Sequence, residues 1–205
     1  MNKPIRCSIT KSVLSLALLA TSALTTSLVN AANYKIDSSH TQILFKIKHL
    51  AIATVTGSFG EFEGEFQFDP ENIAKSSAKA QVVAKSINTN NEKRDDHLRN
   101  EDFFNVEKYP SLGFVSKEIK DVNGNNFTLV GDLTIGSVTK GVEFSVEYAG
   151  AAKDPWGNDR VAFTAETKIN RKDFGLTWNK VMETGGLVVG DDVKIILEVE
   201  GVKEK

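Results

Sequence analysis

Along most of the chain, apolar and polar residues alternate with a period of two. In EFEGEFQFD, Phe62, Phe66 and Phe68 share one face with Gly64, while Glu61, Glu63, Glu65 and Gln67 take the other. Successive side chains of a strand point to opposite faces, so this pattern predicts a strand with one dry side and one wet side. FTLVGDLTI repeats it, with Phe127, Leu129, Leu133 and Ile135 against Thr128, Asp132 and Thr134. The same reading predicts strands at 34–37 with 42–50, then 59–69, 78–88, 111–121, 127–136, 138–150, 160–170 and 191–202. Turn chemistry separates them at Asn123-Gly124, Gly136-Ser137 and Asp154-Pro155-Trp156-Gly157.

Eight strands joined by short loops predict an all-β fold, an eight-stranded antiparallel meander closed into a barrel. Closure removes exposed edges, and an interior of this size is either filled by side chains or holds one small ligand. The segment SAKAQVVAKSI bears on that choice. Ala78, Ala80, Val82, Ala84 and Ser86 share a face, opposite Lys79, Gln81, Val83, Lys85 and Ile87. A small-residue wall leaves space beside neighbouring Phe residues, yet Phe62, Phe66 and Phe114 can equally fill it, because barrels alternate large and small residues. Both interiors stay open on this pattern.

One stretch breaks the alternation, EKRDDHLRNEDFFNVEKYP at 92–110. Asn90 or Asn91 can cap a short helix from Glu92 to Asn100, in which Leu98 is the one large apolar residue. So short a helix is marginal by itself. Phe103 and Phe104 are its anchors, and Tyr109-Pro110 returns the chain to an extended backbone. Asp95 and Arg99 have the spacing of an exposed ion pair, worth about 0.2–0.5 kcal/mol. The functional alternative is that Arg94, His97 and Arg99 gather donors around an anionic or carbonyl-bearing headgroup at a barrel mouth. A second irregular region, Arg171 to Asp192, sets Gly175, Gly185, Gly186 and Gly190 around Trp178 and Met182. It reads as a flexible lid carrying apolar groups, or as a connection whose Trp plugs the barrel end.

Composition changes this picture chiefly at the start. Lys3, Arg6 and Lys11, then the apolar run Val13 to Ala23, then Val29-Asn30-Ala31 make the three parts of a secretory signal peptide, with cleavage expected after Ala31. The leader removed, residues 32–205 form one expected domain, with no linker and no second long apolar run. Its charge is 22 Lys+Arg against 27 Asp+Glu, or −5, which favours neither nucleic acid nor anionic lipid headgroups, where basic patches supply the affinity. The one cysteine, Cys7, leaves with the leader, so the exported chain is held by its core without disulfides.

Catalytic and metal motifs are sparse. His40, His49 and His97 stand in no ligand spacing, there is no Gly-x-Ser-x-Gly elbow, and no glycine-rich phosphate loop joins a strand to a helix. These residues imply neither a metal nor a cofactor.

Several motifs in order resemble the YceI-like family of bacterial periplasmic proteins, described as polyisoprenoid-binding and lipocalin-like. They are YKIDSSHTQILFKIKHL, GSFGEFEGEFQFD, SINTNNEKRDDHLRNEDFFNVEKYPSLGFVS, GDLTIGSVTKGVEF and INRKDFGL with the terminal strand. The family's Arg-Asp-x-His-Leu-Arg element is matched by Arg94, Asp95, His97, Leu98 and Arg99, followed by Phe103 and Phe104. Where the family usually has Arg-Gly and a later Pro, this chain has Gly136-Ser137 and Gly141, so any role of that Arg at a ligand head is missing here.

The resemblance implies a lipocalin-like barrel with a pore for an isoprenoid tail, that of a polyprenyl lipid or a quinone, acting in the periplasm without catalysis. Lining positions expected for the tail are Phe45, Ala80, Val82, Ala84, Phe114 and Phe163, with the head near Arg94, His97, Leu98, Arg99, Phe103, Phe104 or Trp178. Other readings remain: an enzyme acting on a lipid or quinone head with His97 as acid or base, and a filled barrel serving as a stress-associated interaction protein. A homodimer is one assembly open to the chain.

Overall fold

The computed structural model describes residues 31–181 and 186–205. Apart from Ala31, the expected signal peptide lies outside the described residues, as do Met182 and Gly185.

Eleven strand segments form one antiparallel sheet: β1 (Ala32–Ile36), β2 (Gln42–His49), β3 (Ala53–Phe59), β4 (Phe62–Phe68), β5 (Ser77–Val83), β6 (Ile87–Asn88), β7 (Ser111–Asn123), β8 (Asn126–Ile135), β9 (Val138–Lys153), β10 (Asp159–Asn170) and β11 (Val189–Lys203). They make eight staves. β1 and β2 are two halves of one stave, since both pair with β11, and β3 and β4 are halves of the next, pairing with β2 and β1. β6 continues the line of β5, being paired with β3 as β5 is with β4. The pairing of β11 with both β10 and the first stave closes the barrel. Among the described residues a single α-helix, α1 (Glu92–Arg99), interrupts the strands.

Two stretches differ from the sequence expectation. β3 was hidden because ATVTGSF alternates Thr and Ser with only Val55, Gly57 and Phe59 on the inner side, too little apolar area for the pattern to register. Gly57 has a packing reason: the Phe45 ring lies where its Cβ would stand. The predicted strand 78–88 ends at Val83, and Ala84–Ser86 form a 3-10 turn. Ala84 is buried there, its N–H donating to Pro110 O at 2.9 Å, so it belongs to the seam between β5 and β7 rather than to an inner wall.

The core is a set of inward aromatic and branched side chains. At one end Tyr34 stacks on Phe66 at 5.2 Å, and Phe163 meets Phe66 at 5.5 Å and Phe68 at 4.8 Å. Tyr148 packs against both Phe68 and Phe163, so aromatic rings close this end of the barrel.

The kink between β1 and β2 is held by charge. Arg160 donates to Asp37 at 2.6 Å and to Asp154 at 2.8 Å, and it also pairs with Glu200, tying β10, β11 and the kink together. Arg160 and His40 hold the Asp37 carboxyl well below the usual carboxylate range. Burial disfavours the charge of Asp154, but hydrogen bonds from Asn158 and Arg160 outweigh it and lower that group too. Carboxylates depressed in the folded state stabilise it above their unfolded range near pH ~4 and lose that contribution as pH falls further. Arg160→Met is therefore expected to lower Tm at neutral pH by about 2–5 °C, a deficit that narrows below pH ~4. Thermal melts by circular dichroism across this range check it; a pH-independent deficit would assign the loss to packing instead.

Candidate functional site

The helix is placed by its N-terminus. Asn91 caps it by accepting from the Arg94 N–H at 3.1 Å, and Asp95 is buried against the preceding segment. The Asp95 carboxylate accepts from the Thr89 N–H at 2.9 Å and from the Thr89 hydroxyl. Thr89 in turn accepts from Arg94, Nε to Oγ1 at 2.7 Å and Nη2 to the carbonyl at 2.8 Å. A buried carboxylate thus orients a hydroxyl, which orients a guanidinium.

The expected Asp95–Arg99 pair is not made. Asp95 faces inward, and Arg99 turns to Asp96 at 3.0 Å, with Nε and Nη2 donating to the carbonyls of Lys85 and Ile87. Arg99 braces the helix against the 3-10 turn and β6, and it does not line the interior. The segment after α1 doubles back, Phe104 N–H reaching Leu98 O at 3.0 Å. This puts the Phe104 ring edge-on to Phe59 at 5.9 Å, inside the barrel. Phe103 stays at the rim, where it meets His97 at 5.1 Å and Trp178 at 5.3 Å. His97 is edge-on to Trp178 at 4.8 Å, and its Nε2 shares a hydrogen bond with Asp102 at 2.9 Å.

Arg171 was not singled out from the sequence. Its side chain is 3 % exposed. It donates from Nε to Gly190 O at 2.8 Å, and from Nη1 to Trp178 O at 2.9 Å and to Leu176 O. Burial pushes its guanidinium down from the ordinary arginine value, with Asp191 acting the other way. One residue therefore holds both ends of the glycine-rich connection, and with it Trp178, against the barrel. The sequence signal was slight: an Arg directly before a glycine-rich loop in INRKDFGL.

Between these parts and the aromatic end the interior is hollow. An upper cavity of about 300 Å³ lies beneath α1 and the Trp178 connection, bordered by Phe45, Arg94, His97, Leu98, Phe103, Phe104 and Trp178. A lower cavity of about 220 Å³ has Phe45, Ala80, Val82, Phe114 and Phe163 on its walls, with Ala78 completing the small-residue face. Phe45, Phe59, Leu112, Ile135 and Ile195 border both and form a waist. The structure thus brings the sequence-selected residues to one pore, except Ala84 and Arg99. Of the waist only Phe45 was selected; Phe59, Leu112, Ile135 and Ile195 were missed, since nothing in a period-two pattern says which inward side chains meet across the barrel.

The pore wall is almost wholly apolar, and its polar groups gather at the upper end, where Arg94 and His97 stand beside Lys48, His49, Thr89 and Arg171. The Arg171 donors are spent on carbonyls. Among the described residues no carboxylate lies within ion-pair distance of Arg94 or of Lys48, so both face the cavity as cations without an acidic partner. Potential metal ligands meet elsewhere: Asp37, His40 and Glu200 converge at the kink, but Arg160 already satisfies the two carboxylates.

Known proteins share this fold. The YceI-like domain family matches residues 34–201. A UPF0312 protein of Photorhabdus laumondii is 40% identical over 177 residues, 85% of this chain and 88% of that relative. The solved structure of the Campylobacter jejuni YCEI protein matches with a TM-score of 0.67 at 31% identity, covering 78% of this chain and 91% of that one. A polyisoprenoid binding domain from Saccharophagus degradans has the same fold, with a TM-score of 0.61 at 12% identity over 85% of this chain and 99% of that one.

Proposed function

Because this chain belongs to the YceI-like family, we propose that it carries an isoprenoid lipid in the barrel pore, a polyprenyl lipid or a quinone, in the periplasm and without catalysing a reaction on it. The observation that carries this reading is the interior itself, two apolar cavities that share five bordering side chains at a waist, with polar groups at one end. Such a shape suits a long apolar tail with a single polar head. The tail gains about 25 cal/mol per Å² of apolar surface removed from water. The head meets Arg94, oriented by Thr89 and Asp95, and the aromatic rim of His97, Phe103 and Trp178. The polyisoprenoid-binding description of the Saccharophagus degradans domain supports the ligand class, and the leader sequence supports export. His97 packs edge-on against two rings, a positioning role that needs no proton transfer.

The two tryptophans make this testable. Trp178 borders the upper cavity, while Trp156 is 81% exposed on the β9–β10 turn. Titration with an isoprenoid quinone should quench Trp fluorescence saturably. The quench should disappear in Trp178→Phe and persist in Trp156→Phe. A quench that does not saturate, or that follows Trp156, would speak against a pore site.

A further inference from the structure

The mouth of the pore is edged by two pieces of chain, a turn and a bridged pair, whose exposed side chains the lining does not use. In the first, between β2 and β3, Ile52 N–H donates to His49 O at 3.2 Å, and the two central residues, Leu50 and Ala51, both have positive φ, 53° and 61°. This is the left-handed pair of type I′ turns, for which Asn and Gly are the strain-free choice; other side chains cost about 1–2 kcal/mol per residue. Leucine and alanine here are poor turn chemistry. In the second, Val181 and Leu187 pair across an antiparallel bridge, with Val188 N–H donating to Lys180 O at 3.0 Å. The Leu50 N–H donates to Val188 O at 2.9 Å, so the turn and the bridged pair form one edge.

That edge presents apolar side chains to solvent. Ile52 is 84% exposed, Val181 71% and Leu187 39%. They adjoin His49, Val188 and Val189, which border the upper cavity, so the apolar surface runs from pore to rim. Lys48 and Lys180 lie beside these residues and are exposed. The described residues 48–54, 178–181 and 186–190 contain no carboxylate, and the sequence between them adds only Glu183. A cationic edge on an exported domain of net charge −5 runs against the overall sign.

We propose that this edge docks on the surface of a bilayer containing anionic phospholipid. Ile52, Val181 and Leu187 enter the apolar boundary, Lys48 and Lys180 meet headgroups, and the pore mouth opens to the membrane. The proposal rests on the isoprenoid reading for what passes through the mouth, but the docking itself does not. A few protruding side chains offer far less than the ~800 Å² per partner of a standard protein interface. Reversible membrane contact, by contrast, needs only modest buried apolar area plus a few cations. A long isoprenoid is also scarcely free in water, so its source is a bilayer.

The test is flotation of the exported chain with phosphatidylethanolamine–phosphatidylglycerol vesicles, beside solution titration with a short-chain isoprenoid quinone read by Trp178. Wild type should float, and the I52S/L187S double variant should lose about tenfold in vesicle binding, from about 60 Å² of apolar contact removed. Both should bind the soluble quinone equally, since neither substituted residue borders a cavity. A wild type that stays off vesicles, or a variant that floats as well, overturns the proposal. So does a dimer that forms through this edge in place of vesicle binding, which would make it a protein interface. Flotation without quinone binding would sink the pore reading and leave docking standing.

Discussion

Ala80→Phe should abolish high-affinity isoprenoid binding while leaving the barrel folded. Ala80 sits in β5 opposite Gly64 on one side and Phe114 on the other, on the small-residue face of the lower cavity. A phenyl group there occupies space that the tail would otherwise take. Displacing about 100 Å² of buried tail removes about 2.5 kcal/mol, close to a hundredfold in affinity. Because the ring enters a void, the unliganded protein should keep its Tm within a few degrees, whereas a filled core would be strained by the same change. Quinone titration and a thermal melt on one preparation separate the two: lost affinity with an intact melt is the expected pair, and unchanged affinity would place the ligand outside the lower cavity.

The largest expected effect on stability is at Arg171. Replacing it with Met leaves the carbonyls of Leu176, Trp178 and Gly190 without their donor. Each unsatisfied buried polar group costs about 1–3 kcal/mol. Since the loosened connection can recover water, a net loss of about 3 kcal/mol is expected in urea unfolding. Arg171→Lys should recover little of it, because a single ammonium cannot reach carbonyls on both sides as the guanidinium fork does. The functional readout is faster ligand release, with the Trp178 side of the mouth no longer held. A variant that is destabilised yet releases ligand at the wild-type rate would show that the connection is structural only.

Much of the fold was legible because a barrel wall obeys one rule. Faces such as Phe62, Phe66 and Phe68, or Phe127, Leu129, Leu133 and Ile135, announce their side by alternation. The rule fails where inward residues are small, as in β3, and where a stave breaks, as at Ala84. The helix was legible from its charge and cap, but its rotation was not. Exposed i,i+4 pairing predicted Asp95 with Arg99, and the structure turns Asp95 inward because Thr89, before the helix, offers it two donors. That partner cannot be read from helical spacing. Arg171 was hidden for a related reason: its partners are backbone carbonyls, which have no sequence signature. The choice between hollow and filled interior depended on distances across the barrel. Phe45 and Phe59, neighbours on β2 and β3 with rings 5.9 Å apart, border both cavities, and alternation alone does not say what space they leave to the opposite wall.

The central claim is that the pore holds an isoprenoid tail. Its most direct measurement is organic extraction and mass spectrometry of the protein purified from its native compartment. The account predicts an isoprenoid lipid or quinone recovered from the wild-type chain and depleted from Ala80→Phe. Recovery of no isoprenoid from wild type, together with no binding of one in vitro, would contradict it.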